Sequence, residues 1–584
     1  MKALKIKALK IKAWKISLLC ATAVVGVAPS AWAGTACDAL AGLSIPNTNI
    51  TGAGNVAGPI SVSGAGGQGK VSMPFCRIEG VTHPTPRSTV KFEVWLPPNW
   101  NTRMKTTTTG GFLGGIPYAR LAEDVALGYA VVGSNLGHDG GADPRWDTDP
   151  DALAAYGYAA HPSVNKAARA VIAAFYDKPP AYSYFEGCSG GGRQALMVAQ
   201  RYPELFDGIL AGAPSYAYPD AIMQILWQQR IHKPKSAADA PLIPASKLKM
   251  VSASVLAACD AKDGLKDSLV GDPRACDRDM KALRCKAGDG PDCLNDAQLA
   301  GLAEIYRGPH RSTGEPLFSA PLPGSEYLWN LATGDSGGYG AFFGDVVFED
   351  VKWDWRTLDF DTGYDTVRNK INPLMGAPSP DLSAFKARGG KLLQYHGWHD
   401  SLVAPSASPN YYNSLIAFEK LKGSNNIDDA IAKLTPQQIA ADAAKPQPVQ
   451  DYFRLFMVPG MGHCSGGVAP NRFDHGANAA PSKRDAEHSA VMALERWVEQ
   501  GIAPERIVAT QYVDNDVSKG IARERPLCVY PKVARYSGKG DIDAAANFAC
   551  AAPDAKNLVP TPADMVQVRS TLKLREMLGP KAEN

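Results

Sequence analysis

Apolar and polar residues alternate along Val90-Lys91-Phe92-Glu93-Val94-Trp95-Leu96, and the run stops at Pro97-Pro98, which predicts a strand. A glycine-rich turn follows, Gly110-Gly111-Phe112-Leu113-Gly114-Gly115. Residues Gly128 to Gly133 are short and apolar throughout, as a buried strand requires. The alanine-rich stretch from Ser163 to Phe175 predicts a helix, and Tyr182 to Glu186 the next strand. The chain then turns at Gly187-Cys188-Ser189-Gly190-Gly191 into a helix running through Tyr202, and Gly208 to Gly212 is another buried strand. Strand and helix alternate here, which predicts a mostly parallel α/β sheet. The rhythm breaks between about Tyr216 and Leu382, a segment rich in Pro, Gly, Asp and aromatic residues with four cysteines. It returns at Lys391 to His396 and at Tyr452 to Val458, before a helix from Asp485 to Gln500 that Gly501 stops. The expected organisation is a first part of an α/β core at 34–215, an inserted lid domain at 216–382, and a second part of the core at 383–584.

The first residues follow a different pattern. Six lysines (Lys2, Lys5, Lys7, Lys10, Lys12, Lys15) precede the short apolar run Ile16 to Val27, and Ala31-Trp32-Ala33 is a small-x-small cleavage signature. This is the layout of a secretory signal peptide at 1–33, and the run is too short to favour the alternative of a membrane anchor. Export to the periplasm or beyond is expected. The leader carries six lysines and no acid, so its removal takes the formal charge from +3 to −3. The remaining chain has no electrostatic reason to bind nucleic acid or an anionic membrane. Ten cysteines lie outside the leader, and an even number in an exported chain implies disulfides. Zinc binding is the competing reading, but the cysteines are scattered and no C-x-x-C pair occurs. The close neighbours Cys285 and Cys293 are natural partners.

The turn Gly187-Cys188-Ser189-Gly190-Gly191 fits G-x-S-x-G between a predicted strand and a predicted helix, the context of a nucleophile elbow. Its plain alternative is a glycine-rich turn with an N-cap serine. A serine nucleophile needs a base, and the base an orienting acid. Asp400 follows one predicted strand, in His396-Gly397-Trp398-His399-Asp400, and His463 follows another, in Pro459-Gly460-Met461-Gly462-His463-Cys464. Loops past strand ends are where α/β sites assemble. Asp400 read alone is a turn residue, and His396 and His399 are equally compatible with structural roles. If Ser189 and His463 meet, their neighbours Cys188 and Cys464 come close enough to bond. A second constellation, Cys259-Asp260-Ala261-Lys262-Asp263-Gly264-Leu265-Lys266-Asp267, holds three aspartates around a glycine. It suits a hard cation or is a solvated acidic turn, and its spacing is not that of an EF-hand.

Together, Cys188-Ser189, Asp400 and His463-Cys464 resemble the Cys-Ser, Asp, His-Cys arrangement of the tannase and feruloyl esterase family, a group that includes mono(hydroxyethyl) terephthalate hydrolases. The resemblance spans nearly the whole chain after the leader. It implies an α/β-hydrolase core with a large inserted lid, and a Ser189, His463, Asp400 triad. It implies an oxyanion hole from the Gly111 and Gly190 amides, and disulfides Cys37–Cys76, Cys188–Cys464, Cys259–Cys276, Cys285–Cys293 and Cys528–Cys550. It also implies a structural Ca2+ held by Asp260, Asp263 and Asp267 side chains with the Leu265 and Leu269 carbonyls. Trp329 and Phe343, in the lid, are candidates for an aromatic acyl pocket, the alternative being lid packing. Relatives that cleave the terephthalate mono-ester hold its carboxylate with a lid arginine. That position falls here at Gly344, beside Asp345, where no cation occurs.

The activity so implied is hydrolysis of aromatic acid esters of feruloyl or galloyl type, by a monomer whose partner is a small aromatic ester. A terephthalate mono-ester hydrolase is the near alternative. A lipase or peptidase on the same triad is disfavoured, since a lipase needs a broad apolar surface at its lid and this lid is rich in Gly, Pro and Asp. A catalytically inactive, calcium-stabilised binding protein is the reading from another class, and the intact triad residues argue against it.

Overall fold

The computed structural model describes residues 35–140, 146–233, 240–286, 288–331, 337–477 and 479–576; the expected leader, 1–33, lies outside them. The strands are β1 (Thr48–Val56), β2 (Ile60–Gly64), β3 (Gly67–Val71), β4 (Phe75–Thr82), β5 (Val90–Leu96), β6 (Arg103–Thr107), β7 (Ala130–Ser134), β8 (Tyr182–Cys188), β9 (Gly208–Gly212), β10 (Lys391–Gly397), β11 (Phe453–Val458), β12 (Arg506–Tyr512), β13 (Ile521–Cys528), β14 (Val533–Tyr536) and β15 (Phe548–Ala551). Nine of them form one sheet in the order β1-β4-β5-β7-β6-β8-β9-β10-β11. The pairs from β7–β6 through β10–β11 are parallel, while β1–β4, β4–β5 and β5–β7 are antiparallel. This is the α/β-hydrolase type of core.

The parallel strands β7 and β9 to β11 are largely apolar on both faces because both faces are covered, β6 (Arg103–Thr107) being the polar exception, and alternate residues feed two different cores. Phe185, Ile209 and Leu392 point into the core that holds Val164, Val171 and Ile172 of the helix Ala160–Tyr176. Tyr184, Leu210, Leu393 and Tyr395 point the other way, against Leu494 and Trp497 of the helix Ala490–Gln500. That last helix begins at Ala490, not at Asp485 as its pattern suggests. Ser489 accepts the Met492 amide as its N-cap, and its hydroxyl also reaches Asp474.

Between β9 and β10 the described residues join none of the sheets. Their packing divides in two. Ile243, Leu248, Leu294, Leu302, Ile305 and Trp329 make a small core of their own. Phe342, Phe343, Trp355, Leu358 and Tyr364 merge with the main sheet core instead. Five disulfides join Cys37–Cys76, Cys188–Cys464, Cys259–Cys276, Cys285–Cys293 and Cys528–Cys550, with Cα separations of normal size. Among the described residues, no helix is long and apolar enough to cross a membrane.

Candidate active site

Ser189 stands between β8 and the helix Gly190–Arg201 with φ 65° and ψ −121°, a conformation costly for any residue but glycine. The turn is tight enough to demand its glycines. A Cβ on Gly187 would sit 2.6 Å from the Gly191 carbonyl oxygen. The neighbouring backbone holds the strain in place: the Ser189 amide donates to the Gly212 carbonyl on β9, and the Ser189 carbonyl accepts the Arg193 amide of the helix.

The acid and the base come from the loops past β10 and β11, beyond β9 in the sheet. β10 stops at Gly397 and β11 at Val458, and their loops lie directly on each other. The His399 amide donates to Met461 O, and a Cβ on Gly397 would lie 2.2 Å from that same oxygen. This contact brings three side chains from distant parts of the chain into line. His463 Nε2 is 2.8 Å from Ser189 Oγ, and His463 Nδ1 is 2.7 Å from Asp400 Oδ2. Asp400 is fully buried, yet it accepts four hydrogen bonds. Oδ1 takes the Leu402 and Val403 amides, and Oδ2 takes His463 and His396. Burial opposes its ionisation, but the histidine charge and these hydrogen bonds outweigh it and hold the carboxyl below the usual carboxylate range. The disulfide Cys188–Cys464 spans the residues beside the serine and the histidine, with its Cα atoms 6.0 Å apart.

Gly111 and Gly190 are neighbours at the serine, since a Cβ on Gly190 would lie 3.0 Å from the Gly111 amide nitrogen. Gly111 has φ +60°, and Tyr156 donates its hydroxyl to the Gly111 carbonyl, which sets the orientation of that peptide. The two peptides thus meet beside Ser189, at the N-terminus of the helix Gly190–Arg201.

The cavity at Ser189 is lined by Ser215, Tyr218, Ile222, Ile225, Tyr339, Leu402 and Val403, together with the two glycines and His463. Neither of the aromatic residues expected there is among them. Trp329 is wholly buried in the small core between β9 and β10, its indole N–H donating to Ser325 Oγ, and Phe343 is wholly buried in the main core beside Phe342. Both fill space between packed elements. The aromatic residues at the cavity are Tyr218 and Tyr339, with Phe112 packed against each. Tyr218 opens the helix that follows β9, and only its position past a parallel strand end would have marked it.

The acidic loop lies elsewhere. Asp263, Leu265, Asp267 and Leu269 line a cavity of about 370 Å³ against β13–β15 that contains none of Ser189, Asp400 and His463. Asp260 folds the loop by accepting the amides of Asp267, Ser268 and Leu269. Asp267 accepts Arg525. Among the described residues, the Asp263 carboxylate accepts only the Leu265 amide; burial pushes it up to about 6, the charges of Asp267 and Asp260 acting in the same direction and that of Arg535 against them. Among the described residues, no three His, Cys, Asp or Glu side chains are gathered into a ready metal cage. The loop nevertheless fits a cation in its chemistry: hard oxygens, and one half-buried acid, Asp263, with no lysine or arginine paired to its carboxylate among the described residues.

A family model, "Tannase and feruloyl esterase", matches residues 76–551. The chain belongs to this family. It is 37% identical to an uncharacterised esterase of Xanthomonas campestris pv. campestris, covering 90% of this chain and 93% of that protein. It is 31% identical to the mono(2-hydroxyethyl) terephthalate hydrolase of Piscinibacter sakaiensis, covering 80% and 82%. The crystal structure of feruloyl esterase B from Aspergillus oryzae superposes with a TM-score of 0.75 at 26% identity, covering 87% of this chain and 98% of that one. As a member of the tannase and feruloyl esterase family, the chain is a carboxylic ester hydrolase.

Proposed function

We propose that this hydrolase is exported and cleaves esters of neutral phenolic acids, feruloyl or galloyl in type, through an acyl-enzyme on Ser189. The observation that carries the reading is the continuous hydrogen-bonded line from Ser189 Oγ through His463 to Asp400. His463 takes the serine proton as Oγ attacks the ester carbonyl, and returns it to the leaving alcohol. Asp400 fixes the imidazole, and the Gly111 and Gly190 amides receive the negative charge on the carbonyl oxygen. Water then repeats the sequence to free the acid. A binding protein without activity would have no use for a strained serine held at hydrogen-bond distance from a histidine. Five disulfides and the leader pattern support export.

The choice of a neutral acyl group rests on charge. Among the described residues, no lysine or arginine lines the cavity at Ser189. Arg368 is engaged by Asp220 and Ser570, and Arg356 lies over Trp355 beside Asp354. A free carboxylate on the acyl group would be buried without a partner, which is costly. With methyl ferulate, methyl gallate and mono(2-hydroxyethyl) terephthalate compared at one pH, kcat/KM is expected to be lowest for the terephthalate, and Ser189→Ala to abolish all three activities. A terephthalate preference would overturn the substrate reading, and turnover surviving in a folded Ser189→Ala enzyme would overturn the mechanism. For the acidic loop, we propose a structural Ca2+ bound by Asp260, Asp263 and Asp267 with the Leu265 and Leu269 carbonyls. The ion would neutralise Asp263 and take no part in the chemistry.

A further inference from the structure

We infer that His396 is a positioning residue of the hydrolytic site, a second histidine that shares Asp400 with His463 and sets how strongly Asp400 acts on it. The inference rests on the proposed role of His463 as the base. His396 is completely buried on β10. Its Nε2 lies 3.0 Å from Asp400 Oδ2, the same oxygen that receives His463, and 3.3 Å from the Val403 carbonyl. Both neighbours are acceptors, so Nε2 must carry a hydrogen.

The far side of the ring fixes this arrangement. Nδ1 is 2.7 Å from Ser408 Oγ, and Ser408 Oγ is itself 2.6 Å from Gln394 Nε2. The amide donates to the serine oxygen, and the serine hydrogen is left to point at Nδ1. The result is one polarised line: Gln394 to Ser408, Ser408 to His396, His396 to Asp400, and from there to His463 and Ser189. Such a chain in a dry interior holds each member in a single orientation. Every link on its inner side is wholly buried.

The second donor also withdraws charge from Oδ2. Among the described residues, the titratable side chains that bond Asp400 are His396, as a neutral donor, and His463. The lid helix Tyr218–His232 meets this region with the uncharged Gln224 and Gln228, which bind the backbone at Ala404 and Ser401. The helix Ala407–Leu421 contributes Ser408, and the base loop contributes His463. With His396 removed, His463 is the one side chain left on Oδ2, and the Leu402 and Val403 amides remain on Oδ1. Asp400 then stabilises the protonated His463 more strongly, and the base stays protonated to higher pH.

The test is the pH profile of kcat/KM for three variants beside the intact chain. In His396→Leu the acidic limb should move upward by about half a pH unit or more, and kcat should fall with KM little changed. His396→Gln keeps an amide donor at the Nε2 position and should restore both. Ser408→Ala, which leaves the ring in place and removes only its anchor, should shift the limb in the same direction by less. A residue that merely fills space would lower the melting temperature and leave the limb where it was. An unmoved limb in both His396→Leu and Ser408→Ala, or a Gln variant no better than Leu, overturns the inference. If His396→Leu does not fold, the Ser408→Ala profile decides. His463→Ala separates this inference from the reading beneath it. Full activity in that variant removes the base itself, whereas an inactive His463→Ala with unmoved limbs removes only the role of His396.

Discussion

Asp400 concentrates the chemistry of the site in one buried carboxylate. Its ionisation is favoured in the folded chain by His463, His396 and two amides, although burial opposes it. The carboxyl is therefore more acidic folded than unfolded, and it contributes stability above the ordinary carboxylate pKa that is lost as pH falls towards its folded value. The melting-temperature gap between the intact chain and Asp400→Asn is expected to be widest near pH 7 and to narrow below about pH 4. A gap independent of pH would show that the pairing carries no such weight. In kinetics, Asp400→Asn should lower kcat by roughly 10³ to 10⁴, the scale for losing the acid that orients a catalytic histidine. Ser189, Asp400 and His463 were legible in the sequence because each follows a readable strand end. The His396 pairing was not, because its spacing of four residues has meaning only once the chain turns back at Gly397. Trp329 and Phe343 were misplaced for a related reason: an aromatic residue in a lid carries the same pattern whether it packs a core or faces a cavity.

At the scale of elements, the nucleophile turn and the base loop are separate pieces of chain held together by Cys188–Cys464, 276 residues apart in sequence. A crosslink over so long a loop is worth roughly 5 kcal/mol in the chain-entropy picture, less where other disulfides already shorten the path. Digestion without reduction should yield one linked peptide pair carrying both Ser189 and His463. Replacing both cysteines by alanine should lower the melting temperature and kcat together. A free thiol at either position, or unchanged kcat in the double variant, would remove this tie from the account. The strands around the site were readable because they are short, apolar and buried on both faces. The first strand was not: Thr48–Val56 is half-exposed along its length and rich in Thr, Asn and Gly. The same holds for β13, whose first half is exposed or half-exposed. Edge strands make little use of the apolar alternation by which a strand is recognised.

For the molecule as a whole, the acidic loop joins the segment between β9 and β10 to the C-terminal strands. Arg523 and Arg525 on β13 reach Asp267, and Arg535 on β14 reaches the Asp263 carbonyl. An ion held there would bind the folded chain alone and stabilise it with its concentration. EDTA is expected to lower the melting temperature, Ca2+ to restore it, and Asp263→Ala to blunt both effects. Indifference to chelation in protein free of bound metal would reduce the loop to an acidic turn. None of this bears on the hydrolytic chemistry, which stands or falls on one serine. The most direct test is to react the protein with a fluorophosphonate, follow ester hydrolysis as the label enters, and map the labelled peptide. One label per chain is expected, on Ser189, with activity lost in proportion to labelling. Label found on another residue, or hydrolysis persisting in fully labelled protein, would contradict it.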